Sequence, residues 1–66
     1  RLADIIANAI IELSKTAARY VRSGGVFIAS GIIKEREEEV VQALISGGFT
    51  IEEILTEGDW IAVVCR

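Results

Sequence analysis

Ser23-Gly24-Gly25-Val26-Phe27-Ile28-Ala29-Ser30-Gly31-Ile32-Ile33 is the stretch that decides the fold of this 66-residue chain. A glycine pair stops a preceding helix, because only glycine enters the left-handed region without steric cost. Val26 to Ser30 then has almost no polar member, the pattern of a strand covered by other elements. Ser30-Gly31 turns the chain before a charged helix. Helix, strand and helix in that order are the second half of a doubly wound α/β sheet, and the half in which such folds bind their ligand is missing.

Upstream, residues 4 to 22 read as one amphipathic helix. Leu2, Ile5, Ile6, Ala9, Ile10, Leu13, Ala17, Tyr20 and Val21 follow a 3.6-residue period, and Asp4, Asn8, Glu12, Lys15, Arg19 and Arg22 form the polar stripe. Asp4 stands where an N-cap is expected, and the basic residues crowd the C-terminal half, as the helix dipole favours. A strand over residues 3 to 7 is the competing reading, and the unbroken periodicity favours the helix.

Downstream, residues 34 to 46 form a second helix. Glu35, Glu37, Glu38 and Glu39 open it, and Val40, Val41, Leu44 and Ile45 are its buried stripe, joined by Ile33. Gly47-Gly48 ends it, with Phe49 placed to pack back on the last turn. Residues 50 to 57 alternate and carry Glu52, Glu53 and Glu57, which suits a protected edge strand. Gly58-Asp59 turns a hairpin into the apolar run Trp60 to Cys65. The order is α-β-α-β-β. A right-handed crossover makes the first two strands parallel, and the apolar last strand fits between them. The expected fold is therefore α/β, a three-stranded mixed sheet in the order first-third-second, the third strand antiparallel to both neighbours. Both helices cover one face, and the other is bare.

Composition narrows the function. One Cys and no His leave no internal disulfide and no zinc site. A net charge of −3 opposes nucleic-acid binding. No apolar run reaches the roughly 18 residues of a membrane span. A lone Cys65 fits a cytoplasmic origin. The apolar share of 52% exceeds what two layers of this size hide, which points to an oligomer. With no Met and a start at Arg1, the chain is expected to be a fragment or an edited sequence.

Four stretches carry a more specific resemblance: Ala3-Asp4-Ile5-Ile6-Ala7-Asn8, Ile11-Glu12-Leu13, Ser23-Gly24-Gly25 through Ser30-Gly31-Ile32, and Gly58-Asp59-Trp60-Ile61-Ala62. In that order and spacing the chain resembles the C-terminal segment of the ribosomal protein L-eleven methyltransferases, within the class I S-adenosylmethionine-dependent methyltransferases. The resemblance implies that residues 1–66 are one small domain, the C-terminal half of a Rossmann-like fold cut from a larger methyltransferase domain. It implies S-adenosylmethionine as the parent family's cofactor and the amino groups of a large-subunit ribosomal protein as its substrate. The chain departs from the family in three places. Ala3-Asp4 stands where the family reads Ala-Asn, and that Asn belongs to the acceptor side of the active site. Ala9 and Ser23 stand where members often have Pro. The family's glycine-rich cofactor loop and ribose-binding acid lie upstream of Arg1, so no cofactor-binding residue is carried over and the isolated chain is expected to be inactive.

Asp4 and Asn8 are the candidate acceptor-side residues, since methyl transfer to an amine needs oxygen acceptors that aim the nitrogen. The plainer alternative is that Asp4 caps the helix and Asn8 lies on its solvated stripe. Ser23 and Ser30 have no His to activate them. Gly24-Gly25 follows a helix and precedes a strand, the reverse of the phosphate-loop order. Glu35 to Glu39 reads as a solvated face rather than a cation site, Trp60 as a seal at the sheet edge, and Cys65 as a small apolar filler. Two functions remain: part of a protein methyltransferase, or an excised or redesigned non-enzymatic fragment that self-associates. In either case the chain is expected to form a homodimer or higher oligomer through the uncovered sheet face.

Overall fold

Leu2–Ser14 forms helix α1 in a computed structural model that describes residues 1–66 throughout. Its inward face is made mostly of small side chains. Ala3, Ala7, Ile10 and Ser14 recur at helical spacing and are all buried, so α1 lies close against its neighbours. Leu2, Ile5 and Leu13 point outward and are more than half exposed, at 71%, 64% and 56%. The helix is therefore apolar on two sides, and the stripe expected to be buried is divided between them.

The single helix expected over residues 4 to 22 ends at Ser14. Ser14 Oγ donates to the Ile11 carbonyl at 2.6 Å, a local bond that competes with the helical ladder. Thr16 N–H donates to the Leu13 carbonyl three residues back, and Thr16 leaves the helical region at φ −129°. A separate 3-10 turn covers Ala17–Tyr20, and Gly24, at φ +82°, redirects the chain. The periodicity ran through the break because Ala17 and Val21 do pack on the core, whereas Tyr20 is exposed. Asp4 is not the cap: Arg1 occupies that position, and no side chain caps the helix there.

Strand β1 is Phe27–Ile33; it starts one residue later than the sequence reading and runs three residues past Ser30, because Gly31 does not end it. Ala29 pairs with Val63 and Ile32 with Ile61, so Ser30 and Gly31 together oppose Ala62. This is a β-bulge, with Gly31 at φ +74°. A short 3-10 turn, Lys34–Arg36, leads into α2, Glu37–Ser46. Val40 and Leu44 are fully buried, while Ile45, expected in the same stripe, is 47% exposed. Phe49 N–H returns to the Leu44 carbonyl at 3.0 Å, and its buried ring stacks on Phe27 with centroids 5.0 Å apart.

Strands β2, Ile51–Glu57, and β3, Trp60–Cys65, complete a sheet of order β1-β3-β2. Both ladders are antiparallel, so β1 and β2 run parallel to each other across β3. The apolar strand is central and the acidic strand is at the edge, as the charge contrast requires. Ala29, Ile32, Ile61, Val63 and Cys65 meet Ala7, Ile10, Val40 and Leu44 in one core. The opposite face carries no covering element, and there Ile28, Leu55 and Trp60 are 62%, 49% and 48% exposed.

Candidate functional site

Asp4 and Asn8 lie one turn apart on α1 and so share a face. That face looks toward the turn preceding α2, and Arg36 reaches back from it. Arg36 Nη1 donates to Asp4 Oδ1 at 3.1 Å and Nη2 to Asn8 Oδ1 at 2.7 Å. Its Nε donates to Glu39 Oε1 at 2.6 Å. All three guanidinium nitrogens are engaged, and the Arg36 side chain is only 20% exposed. From the other side Arg1 donates to both Asp4 oxygens, at 2.9 and 3.3 Å, and to Glu35 at 3.4 Å.

The charges follow from these contacts. The Arg1 guanidinium, and after it Arg36, hold the Asp4 carboxyl down to about 2, against the partial loss of solvent that favours its neutral form. Arg36 likewise lowers Glu39, and the carboxylates in turn raise Arg1 and Arg36. Asp4 is therefore an anion with two cations on it, an acceptor and not a general base at neutral pH. Asn8 gives its carbonyl oxygen to Arg36, and this bond assigns its amide NH2 to the outward side.

The sequence reading brought Asp4 and Asn8 forward but missed Arg36 and Arg1, which organise them. The available signal was an arginine interrupting a run of glutamates at the start of a helix. Glu35 and Glu39 diverge, one to Arg1 and one to Arg36, and no three His, Cys, Asp or Glu side chains converge anywhere. Gly24-Gly25 lies in the turn before β1, far in sequence from any helix N-terminus it precedes. Ser30 is exposed on the bulge. Trp60 lies at the start of the central strand beside a hollow of about 410 Å3 lined also by Gly31, Leu55 and Ala62. Cys65 is buried, its Sγ 3.4 Å from the Phe27 carbonyl, and burial pushes its thiol pKa up, the opposite of an activated nucleophile. No helix is long and apolar enough to cross a membrane.

The family model for "Ribosomal protein L11 methyltransferase (PrmA)" matches residues 2–66. A ribosomal protein L11 methyltransferase of Acetivibrio thermocellus is 46% identical over 65 residues, which covers 98% of this chain and 21% of the relative. Relatives of the same description in Bacillus cereus and Bacillus anthracis match with the same 46% identity and the same coverage. The chain thus spans about a fifth of the length of the curated relatives it matches.

Proposed function

Because the chain belongs to the ribosomal protein L11 methyltransferase family, we propose that it supplies the acceptor side of an S-adenosylmethionine-dependent methyltransferase acting on amino groups of a ribosomal protein in the cytoplasm. In this reading residues 1–66 are one small domain of a Rossmann-like methyltransferase fold. The observation that carries the proposal is the convergence of Asp4 and Asn8 on one guanidinium, at the stretch that resembles the family's acceptor-side motif.

The replacement of the family's Asn by Asp4 finds a physical account here. An isolated carboxylate beside a substrate amine would favour the protonated, non-nucleophilic ammonium. Two guanidinium groups offset that charge, so Asp4 approaches the behaviour of a neutral amide oxygen. Of its roughly four lone-pair sites, Arg1 takes two and Arg36 one, which leaves one to accept from an amine N–H and aim the nitrogen. Asn8, with its NH2 outward, presents a donor and orients a substrate carbonyl rather than the amine.

The residues present do not form a cofactor site. Dinucleotide-type pockets use a glycine-rich turn running from strand to helix. Here Gly24-Gly25 runs from a 3-10 turn to β1, Gly47-Gly48 closes α2, and Gly58 turns a hairpin. The isolated chain is accordingly proposed to be inactive and not to bind S-adenosylmethionine. Calorimetry with S-adenosylmethionine should give no saturable heat, and micromolar saturation would refute that part. The acceptor role is tested by exchanging these residues for the matching segment of the Acetivibrio thermocellus relative. The chimera should methylate ribosomal protein L11 from labelled cofactor, and Asp4→Ala in it should reduce kcat more than it raises KM. An active chimera indifferent to Asp4→Ala removes Asp4 from the acceptor side.

A further inference from the structure

Arg36 closes the short turn Lys34–Arg36, which follows β1 without a break, so the sheet sets where it stands. Ile33 pairs with Trp60 on the central strand, and the Lys34 N–H donates to the Asp59 carbonyl at 2.8 Å. The backbone leading into Arg36 is thereby pinned to the hairpin between β2 and β3. Its side chain is pinned as well. Nε donates to Glu39 Oε1, three residues on in α2, and only 20% of the side chain is exposed. A side chain fixed at its root and along its length loses its rotamer freedom when the chain folds, not when a substrate arrives.

What this fixed fork reaches is the face of α1 proposed to receive the amine. Nη1 donates to Asp4 Oδ1 and Nη2 to Asn8 Oδ1. The guanidinium is planar, so one rigid group sets the two oxygens relative to each other. It gives Asn8 its one side-chain hydrogen bond. Arg1 cannot substitute: it touches Asp4 and Glu35 but not Asn8. The charged groups on Arg36 are Asp4 from α1 and Glu39 from α2, and β1 carries none. With each of its nitrogens on a protein acceptor, Arg36 acts on a substrate through Asp4 and Asn8 rather than by touching it.

We infer, resting on the acceptor role proposed above for Asp4 and Asn8, that Arg36 is the positioning residue of this site. It holds the amine-accepting oxygen and the carbonyl-orienting amide in one arrangement at the C-terminal end of β1. That end of a strand is where open α/β sheets place their ligands, so the bonds from turn to helix carry the strand's position to the groups that meet the substrate.

The chimera with the Acetivibrio thermocellus relative tests this, assayed below the melting range of every variant. Arg36→Gln should lower kcat about ten- to a hundredfold, as misplacement on the ångström scale does. It should also move the acid limb of the kcat profile up by on the order of one pH unit. Asp4 then keeps only Arg1 against it, and the bound amine holds its proton longer. Arg36→Lys retains the charge, and with it the pairing with Glu39 and the fold should the Gln variant melt. An ammonium cannot span both oxygens as the fork does, so kcat should fall nearly as far with the acid limb in place. In an Asp4→Ala, Asn8→Ala background, Arg36→Gln should change kcat by less than about twofold. Lys15→Gln, whose partner is Glu12, should alter neither kcat nor the limb. An unmoved limb in Arg36→Gln, parental kcat in Arg36→Lys, or the full Arg36→Gln loss persisting in the double-alanine background overturns the inference. If Asp4→Ala leaves kcat intact, the acceptor reading falls and this inference with it. If Asp4→Ala lowers kcat and Arg36→Lys does not, this inference falls alone.

Discussion

Arg36 Nη2 donates to Asn8 Oδ1 at 2.7 Å, tying the turn before α2 to the middle of α1. The same guanidinium holds Asp4 and Glu39, whereas Arg1 reaches Asp4 from the position just before α1 and is 55% exposed. The two arginines therefore have separable effects. Arg1 makes the larger contribution to the ionisation of Asp4, and Arg36 joins more of the structure. Arg1→Gln should raise the Asp4 pKa further from about 2 toward 3.8 than Arg36→Gln does. Arg36→Gln should lower the melting temperature more than Arg1→Gln. Carboxyl-carbon NMR titration and thermal denaturation of the two variants check the two halves, and a reversed order in either shows that the network is held differently.

The depressed Asp4 carboxyl also fixes a pH dependence. Its folded value lies below its ordinary 3.8, at about 2, so the contribution is present above the ordinary value and lost as pH falls through the folded one. Glu39 is shifted in the same direction and adds to the effect. Denaturant midpoints should fall between about pH 4 and pH 2. In Asp4→Asn the fall should be shallower, and equal slopes for both proteins would mean that other carboxylates carry it.

How much of this was legible in the sequence depended on whether the deciding contact was local. The strand order could be read because charge separates β2 from β3 within one hairpin. The break after Ser14 could not, since Ala17 and Val21 keep helical register with α1 while packing as a separate turn. Gly31 announced a departure from ordinary backbone, but a bulge and a corner both need a left-handed residue there. Only pairing with Ile61 and Val63, some thirty positions away along the chain, decides between them. Asp4 and Asn8 were visible as an i, i+4 pair. Arg36, which lies 32 and 28 residues from them, became visible only when α2 docked.

The bulge itself can be tested. A Cβ on Gly31 would meet Ile6 at 3.7 Å, an ordinary contact, so space is not the obstacle. The φ of +74° is, because a side chain in the left-handed region costs roughly 1–2 kcal/mol. Gly31→Ala should lower stability in urea by about that amount, and Gly31→Asn by less, since Asn tolerates this region. Equal stability of Gly31→Ala and the parent would mean that the strand can straighten and lose its bulge.

Gly47 makes the opposite argument, with ordinary backbone and no room. Its φ is −79°, so a side chain costs nothing conformationally. A Cβ there would run into the Ser14 carbonyl oxygen and lie 2.9 Å from its carbon. Both are backbone atoms, so no rotamer change relieves the clash, and the end of α1 must separate from the end of α2. Ser14 is buried and bonded to Ile11, which ties that shift to the last turn of α1. Overpacking costs about 1–3 kcal/mol where side chains can yield, and a backbone collision falls at or above the top of that range. A core of this size supplies only about 3–5 kcal/mol, so Gly47→Ala should leave much of the chain unfolded at 37 °C. Gly24→Ala is the matched control, with nothing within 4 Å of the added carbon and only its left-handed φ to oppose it. Thermal melts followed by dichroism should place Gly47→Ala well below Gly24→Ala. If the order is reversed, the two helix ends are not in backbone contact, and the seam between α1 and α2 must lie elsewhere.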